Sequence, residues 1–199
     1  MMTRLILASG SDVRRDLLEK AGLDPIVRPS KIDEGALKQG YFRQNLSPDA
    51  IAQNLATAKA MDISEKEPAA LVIGADQVLV FQGQILSKPQ SPDDSVAQLR
   101  SLQGHSHSLI SAVSLVEAGK VSWKICDRVD LHMRALSVQF IERYVEEQWQ
   151  KIRWSVGCYM IEDRGIALFK SIHGDYLTIL CLPIIDLLSY LEDRGILSL

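Results

Sequence analysis

Residues 5–20 read LILASGSDVRRDLLEK. The apolar run ending at Leu7 breaks into Ala8-Ser9-Gly10-Ser11 and then into two arginines. Leu5 to Ala8 reads as a short buried strand. Ser11 is placed to cap a following helix, and Asp12 in its first turn favours the helix dipole. Val13, Leu17, Leu18 and Ala21 then fall on one helical face, and Ala21-Gly22 stops the helix. A strand that gives way to a helix through a tight polar turn is the building unit of an α/β fold. It is also a common place to hold an anion. The helix N-terminus presents free N–H groups and a partial positive charge, Ser9 and Ser11 add hydroxyls, and Arg14 and Arg15 add forked cations. The ordinary alternative is a capped amphipathic helix whose arginines are solvated.

Working outward, the same interleaving continues. DPIVRPSKIDE (24–34) reads as a strand leading into a loop, with Glu34 beside Asp33 in that loop. Ser47 caps a helix with Pro48 at its first position, running to about Lys59. AALVIGADQVLVFQGQIL (69–86) is the strongest strand signal: Ala70 to Ile73, a break at Gly74 and Asp76, then Val78 to Phe81, with Gln82-Gly83 as the turn into ILSKP. Ser91-Pro92 opens a helix that ends near Leu102. Residues 105–118 and 121–133 read as paired strands joined by Gly119-Lys120. Ser137 caps a helix through Glu147. Two short strands are expected around Asp163-Arg164-Gly165, with Glu162 in one of them, and Leu182-Pro183 opens the final helix. Hairpins mixed with strand–helix units predict a mixed sheet. There are no internal repeats and no obvious linker, so residues 1–199 are read as one domain.

Bulk properties narrow the function classes. Of the 199 residues, 47% are hydrophobic and 24% charged, an ordinary globular balance, and the formal net charge is −3. That charge offers no general basic surface for nucleic acid or anionic lipid, so an anionic substrate requires a local cluster of Arg and Lys. The three cysteines, Cys126, Cys158 and Cys181, are far apart and form no CxxC pair, which fits a reducing compartment without a disulfide framework. No stretch approaches a membrane span or a signal peptide, and a cytoplasmic location is expected.

Several side chains stand where chemistry would need them. Asp76 lies among Ile73, Gly74, Ala75, Val78 and Leu79, where a carboxylate is costly unless paired, metal-bound or catalytic; a turn aspartate at a strand break is the alternative. Lys88-Pro89 follows a strand and precedes a helix, as a loop charge or a phosphate clamp. Lys59 ends an otherwise apolar helix, where a snorkelling lysine is the usual explanation. Asp33 and Glu34 suit a hard divalent cation, although most acidic loops are simply solvated. His105 and His107 share a strand face and lack a third ligand nearby, which favours surface or core histidines over a metal site.

Taken in order, LILASGSDVRRDLLEKAG, KIDE, LATAKA, VIGADQVL, ILSKP, LQGHSH and HGDYLTILCLPIIDLL resemble the Maf family of nucleotide pyrophosphatases, from Leu5 to about Gly195. The resemblance implies an elongated α/β fold, a mixed sheet with flanking helices and two lobes around a cleft, similar to inosine triphosphate pyrophosphatases. It implies hydrolysis of a nucleoside triphosphate to the monophosphate and pyrophosphate with Mg²⁺ or Mn²⁺, and a homodimer. It carries Ser9, Arg14, Glu34, Lys59, Asp76 and Lys88 into the binding and catalytic set, with Ser11 beside them, Asp76 as general base and metal ligand, and Glu34 sharing the metal. The chain also departs from the family motif. Asp12 and Val13 stand where Pro and Arg are usual, Gln77 replaces a threonine, Ser155 a lysine and Glu162 a glutamine. Val13, Gln77 and Glu162 resemble the branch that prefers 7-methyl-GTP, although that branch usually has tryptophan at the position of Val13. A carboxylate at 162 suits the N–H donors of a cationic methylated purine. The alternatives are a dTTP/UTP pyrophosphatase and a nucleotide-binding cell-division regulator with little turnover.

Overall fold

The computed structural model describes residues 4–197. The elements are β1 (Arg4–Leu7), α1 (Asp12–Lys20), β2 (Ile26–Val27), α2 (Glu34–Arg43), α3 (Pro48–Ser64), β3 (Ala70–Phe81), β4 (Gln84–Leu86), α4 (Pro92–Leu102), β5 (Ser106–Glu117), β6 (Lys120–Met133), α5 (Val138–Ile152), a 3-10 helix (Arg164–Leu168), β7 (Phe169–His173), α6 (Tyr176–Ile179) and α7 (Ile184–Asp193). The strands form one mixed sheet in the order β2-β1-β3-β5-β6-β7, with β4 paired to β3. The α/β class with a mixed sheet and flanking helices is as expected. Among the described residues no helix is long and apolar enough to cross a membrane.

The chain divides into two compact units, Met1–Gln77 with Ile110–Asp127 and Leu177–Leu199, and Val78–Leu109 with Arg128–Tyr176. In the first unit β1 runs parallel to both β2 and β3, with Leu7 opposite Val27 and Ile73. Parallel neighbours require crossover connections, which the helices between these strands supply. Strand residues alternate between faces. Leu5, Leu7, Leu71, Ile73 and Ala75 therefore pack with Leu18 of α1 and with Ile184, Leu187 and Leu191 of α7. Ile6, Ala70 and Val72 pack on the other face with Ala60 and Ile63 of α3. Both faces are covered, so β1 and β3 read as near-continuous apolar runs.

In the second unit β3 turns into β4 through Gln82 and Gly83, both at positive φ, the type of two-residue hairpin loop expected there. α4 packs along α5. His107 is a core histidine: a ring nitrogen lies 2.7 Å from the Tyr159 hydroxyl, and burial pushes its pKa down to about 4. It is therefore uncharged at neutral pH.

Six local expectations are corrected. The segment after Asp33 is a helix rather than a loop; Asp33 is its N-cap, its Oδ1 accepting from Ala36 N at 2.9 Å. β3 is continuous from Ala70 to Phe81, so Asp76 sits inside a strand and not at a strand break. The β5–β6 turn is Ala118-Gly119, one residue earlier than read, because these two residues take positive φ. Around Asp163 the chain forms turns and the 3-10 helix rather than a strand pair, and Glu162 lies in the turn. The helix after Ser47 also runs on to Ser64, five residues past Lys59, and the one after Ser137 runs to Ile152.

Candidate active site

The turn after β1 assembles the first cluster. Ser11 caps α1, its Oγ accepting from Arg14 N at 3.4 Å. One helical turn into α1, the Arg14 side chain comes back beneath the turn. Its Nη1 donates to Ser9 Oγ at 2.9 Å and its Nε to the Cys181 carbonyl at 3.1 Å. Arg14 is 7% exposed, and no carboxylate pairs with it among the described residues. Its neighbour Arg15 is the solvated one and contacts Asp12, Asp16 and Glu19. Asp12 is thus turned to Arg15, 2.8 Å away, which relieves its repulsion of an anion at the turn. A buried guanidinium without a counter-ion is costly, and an anionic ligand would complete it.

The second cluster lies on the neighbouring strand. Asp76 is 5% exposed and Lys59 8%. Lys59 Nζ donates to Asp76 Oδ1 at 2.6 Å and lies 3.1 Å from Glu34 Oε1. Asp76 Oδ2 is buried and accepts no hydrogen bond. Gly74 permits this pairing. A Cβ there would lie 2.1 Å from the Ala56 carbonyl and 2.8 Å from Ala60 N, so only glycine lets α3 lie this close to β3. Lys59 therefore does not snorkel; it turns inward. Glu34, at the start of α2, is half exposed and reaches the same ammonium from the solvent side.

Ala8 N donates to Ile73 O at 2.8 Å, which ties the start of the Ser9 turn to β3 just before Gly74. The Ser9 turn therefore stands at the carboxyl end of β1, where open α/β sheets bind ligands, beside the strand that carries Asp76. The structure thus brings together Ser9, Ser11 and Arg14, and separately Glu34, Lys59 and Asp76. Val13 is half-buried on α1. Lys88 and Glu162 belong to the second unit and are exposed there. Ser155 is also in that unit, its hydroxyl donating to the Tyr159 carbonyl at 2.6 Å.

Replacing Lys59 by Met leaves a carboxylate buried in β3 without a counter-ion. The variant is expected to lose about 3 kcal/mol of unfolding free energy in urea at pH 7. An unchanged unfolding midpoint would mean that the ion pair is not formed.

Sequence reasoning missed the partners of Gln77. Its Nε2 donates to Ser111 Oγ at 2.8 Å and to the Thr178 and Ile179 carbonyls at 3.2 and 3.1 Å, and its Oε1 accepts from Cys181 Sγ at 3.2 Å. The available sign was Ser111, a hydroxyl within the apolar run LISAVSLV (109–116), where an unpartnered oxygen would be costly.

The family described as Maf-like protein matches residues 4–194 of this chain. The chain belongs to the Maf family. A nucleoside triphosphate pyrophosphatase of Ruegeria pomeroyi is 42% identical to this Maf protein over 198 residues, covering 100% of each chain. A 7-methyl-GTP pyrophosphatase of Rhizobium meliloti is 43% identical over 195 residues, covering 98% of each. Among solved structures, a HAM1 protein from Coxiella burnetii aligns at 12% identity with a TM-score of 0.41, over 66% of this Maf chain and 73% of its own.

Proposed function

We propose that this Maf protein hydrolyses nucleoside triphosphates at the α-phosphorus, with 7-methyl-GTP as its preferred substrate and Mg²⁺ or Mn²⁺ as cofactor, in the cytoplasm. The observation that carries the reading is the buried Asp76 carboxylate, with one oxygen fixed by Lys59 and the other without a hydrogen bond.

In this mechanism Arg14 and Ser9 bind the polyphosphate at the β1 turn. Lys59 anchors Asp76 Oδ1, which leaves Oδ2 to accept the proton of the attacking water. The water oxygen bonds to the α-phosphorus, the bond to the bridging oxygen breaks, and pyrophosphate leaves with the electron pair. Arg14 then faces the charge that grows on the leaving group.

Among the described residues no three His, Cys, Asp or Glu side chains form a metal cage. Asp76 and Glu34 nevertheless fit Mg²⁺, which is commonly held by one or two carboxylates together with substrate phosphates and water. Asp76 Oδ2 is the oxygen with spare capacity, and Glu34 approaches the Lys59 ammonium that holds Oδ1. When bound, the cation would offset phosphate charge and polarise the reacting phosphoryl group.

Support for the methylated purine comes from the relatives of Rhizobium etli and Rhizobium meliloti that carry that activity in their names, at 41% and 43% identity. It also comes from the exposed carboxylate of Glu162, suited to a cationic ring. The test is a panel of nucleoside triphosphates assayed for pyrophosphate with and without each metal. The expected result is a kcat/KM for 7-methyl-GTP about tenfold or more above dTTP and UTP, a step of ~1.4 kcal/mol in transition-state binding, and no turnover with chelator. A preference for dTTP or UTP would move the assignment to pyrimidine nucleotides.

A further inference from the structure

The side chains of Asp76 and Gln77 are neighbours in β3 and must point to opposite faces of the sheet. Asp76 meets Lys59 of α3. Gln77 meets the chain segment 178–181 on the face shared with α1 and α7. Its amide is engaged at both ends. The NH₂ group donates to the Ser111 hydroxyl and to two successive carbonyls, Thr178 and Ile179, and the amide oxygen accepts the Cys181 thiol. Ser111 Oγ also donates to the Thr178 carbonyl at 2.8 Å. The Thr178 hydroxyl donates to Asp127 Oδ2 at 2.6 Å.

This segment needs holding. Cys181 has φ +69°, a conformation that residues with a Cβ rarely adopt unless their surroundings enforce it. The distortion aims the Cys181 carbonyl at Arg14 Nε, 3.1 Å away. The other end of the same guanidinium reaches Ser9. Two points fix the plane of Arg14, and one of them is set by Gln77 through Cys181.

We propose that Gln77 is a positioning residue for Arg14, acting through the 178–181 segment on the triphosphate tail rather than on the base. Gln77 has no donor left over for a base edge, because an amide has two N–H bonds and three oxygens already share them. Its influence on catalysis then follows the orientation of the guanidinium, a quantity common to every nucleotide. The inference rests on the reading of Arg14 as the tail-binding cation.

The test uses the whole chain and inorganic triphosphate as probe, measured by calorimetry, so it does not require turnover. Gln77→Met keeps the length and removes every hydrogen bond. It is expected to weaken inorganic triphosphate about tenfold, the effect of misaligning one charge-assisted contact. The ratio of kcat/KM for 7-methyl-GTP against dTTP should stay within about twofold of wild type, since the tail is common to both. In an Arg14→Met background the same substitution should add nothing, because the two residues act as one unit. Cys181→Ala removes the thiol donor and should weaken the probe more than Cys181→Ser, which keeps one. That pair decides the question if Gln77→Met does not fold. A shifted nucleotide ratio with unchanged triphosphate affinity would overturn the proposal and make Gln77 a base reader. Equal losses with and without Arg14 would overturn it too, as would a wild-type protein that shows no Arg14-dependent binding of the probe. If the wild type binds inorganic triphosphate but releases no pyrophosphate from any nucleotide, the hydrolytic reading fails and the positioning role stands.

Discussion

Asp76→Asn is expected to lower kcat for pyrophosphate release by about 10³-fold, within the range for loss of a general base. The fold should survive. Asparagine has the same shape as aspartate, and the Lys59 ammonium that loses Asp76 keeps Glu34 at 3.1 Å. Lys59 is therefore not left as an isolated buried charge, the condition that makes removal of one partner so destabilising. The contrast with Lys59→Met is the informative one. There the orphan is a carboxylate that is 5% exposed and has no second cation among the described residues, so stability should fall together with activity. For Asp76→Asn, kcat should collapse while KM stays within a few-fold, because Ser9 and Arg14, the groups proposed to bind the tail, are unchanged. Turnover by Asp76→Asn within tenfold of wild type would remove Asp76 from the reaction and leave it a structural partner of Lys59. A parallel loss in kcat and in urea stability would point the same way.

The sequence was most legible where a local rule decides structure. Ser11, Ser47 and Ser137 read as helix caps and Ser91-Pro92 as a helix start, and each serine Oγ accepts the backbone N–H three residues on. Such a cap needs no distant partner, so its signature is complete within four residues. α2 escaped notice because it buries no side chain and therefore has no apolar period to read. Its start, Asp33-Glu34, looks the same as an acidic loop. The site divides along the same line. Ser9, Ser11 and Arg14 lie within one turn, and their grouping was visible. The pairing of Lys59 with Asp76 crosses 17 positions and depends on Gly74 letting α3 sit on β3, a close approach that no periodicity encodes. The hold of Gln77 on Cys181 crosses 104 positions and rests on a backbone conformation that non-glycine residues seldom show. A single chain reveals the residue types that such contacts need, but not which of them meet.

Arg14→Met is expected to separate binding from stability. The wild-type guanidinium is 7% exposed and has no acidic partner among the described residues, so the ligand-free protein carries a cation in its interior that no described carboxylate compensates. Methionine fills a similar length without charge. Relief of the buried charge offsets the lost hydrogen bonds to Ser9 and Cys181, and the ligand-free variant should unfold within about 1 kcal/mol of wild type. Nucleotide affinity behaves differently. Two charge-assisted hydrogen bonds to phosphate oxygens would be missing, a loss of roughly 3 kcal/mol or about 10²-fold in Kd for a non-hydrolysable triphosphate analogue. Ligand raises the melting temperature of wild type by mass action, and at the same concentration it should raise that of Arg14→Met far less. Arg15→Met is the matched control. Its guanidinium is exposed and already surrounded by Asp12, Asp16 and Glu19, so the same substitution one position along should leave both affinity and melting shift near wild type. Equal losses at both positions would mean that the turn attracts phosphate through general positive charge. Loss at Arg14 alone requires a cation fixed between Ser9 and Cys181, buried in the free protein and neutralised only when the substrate arrives.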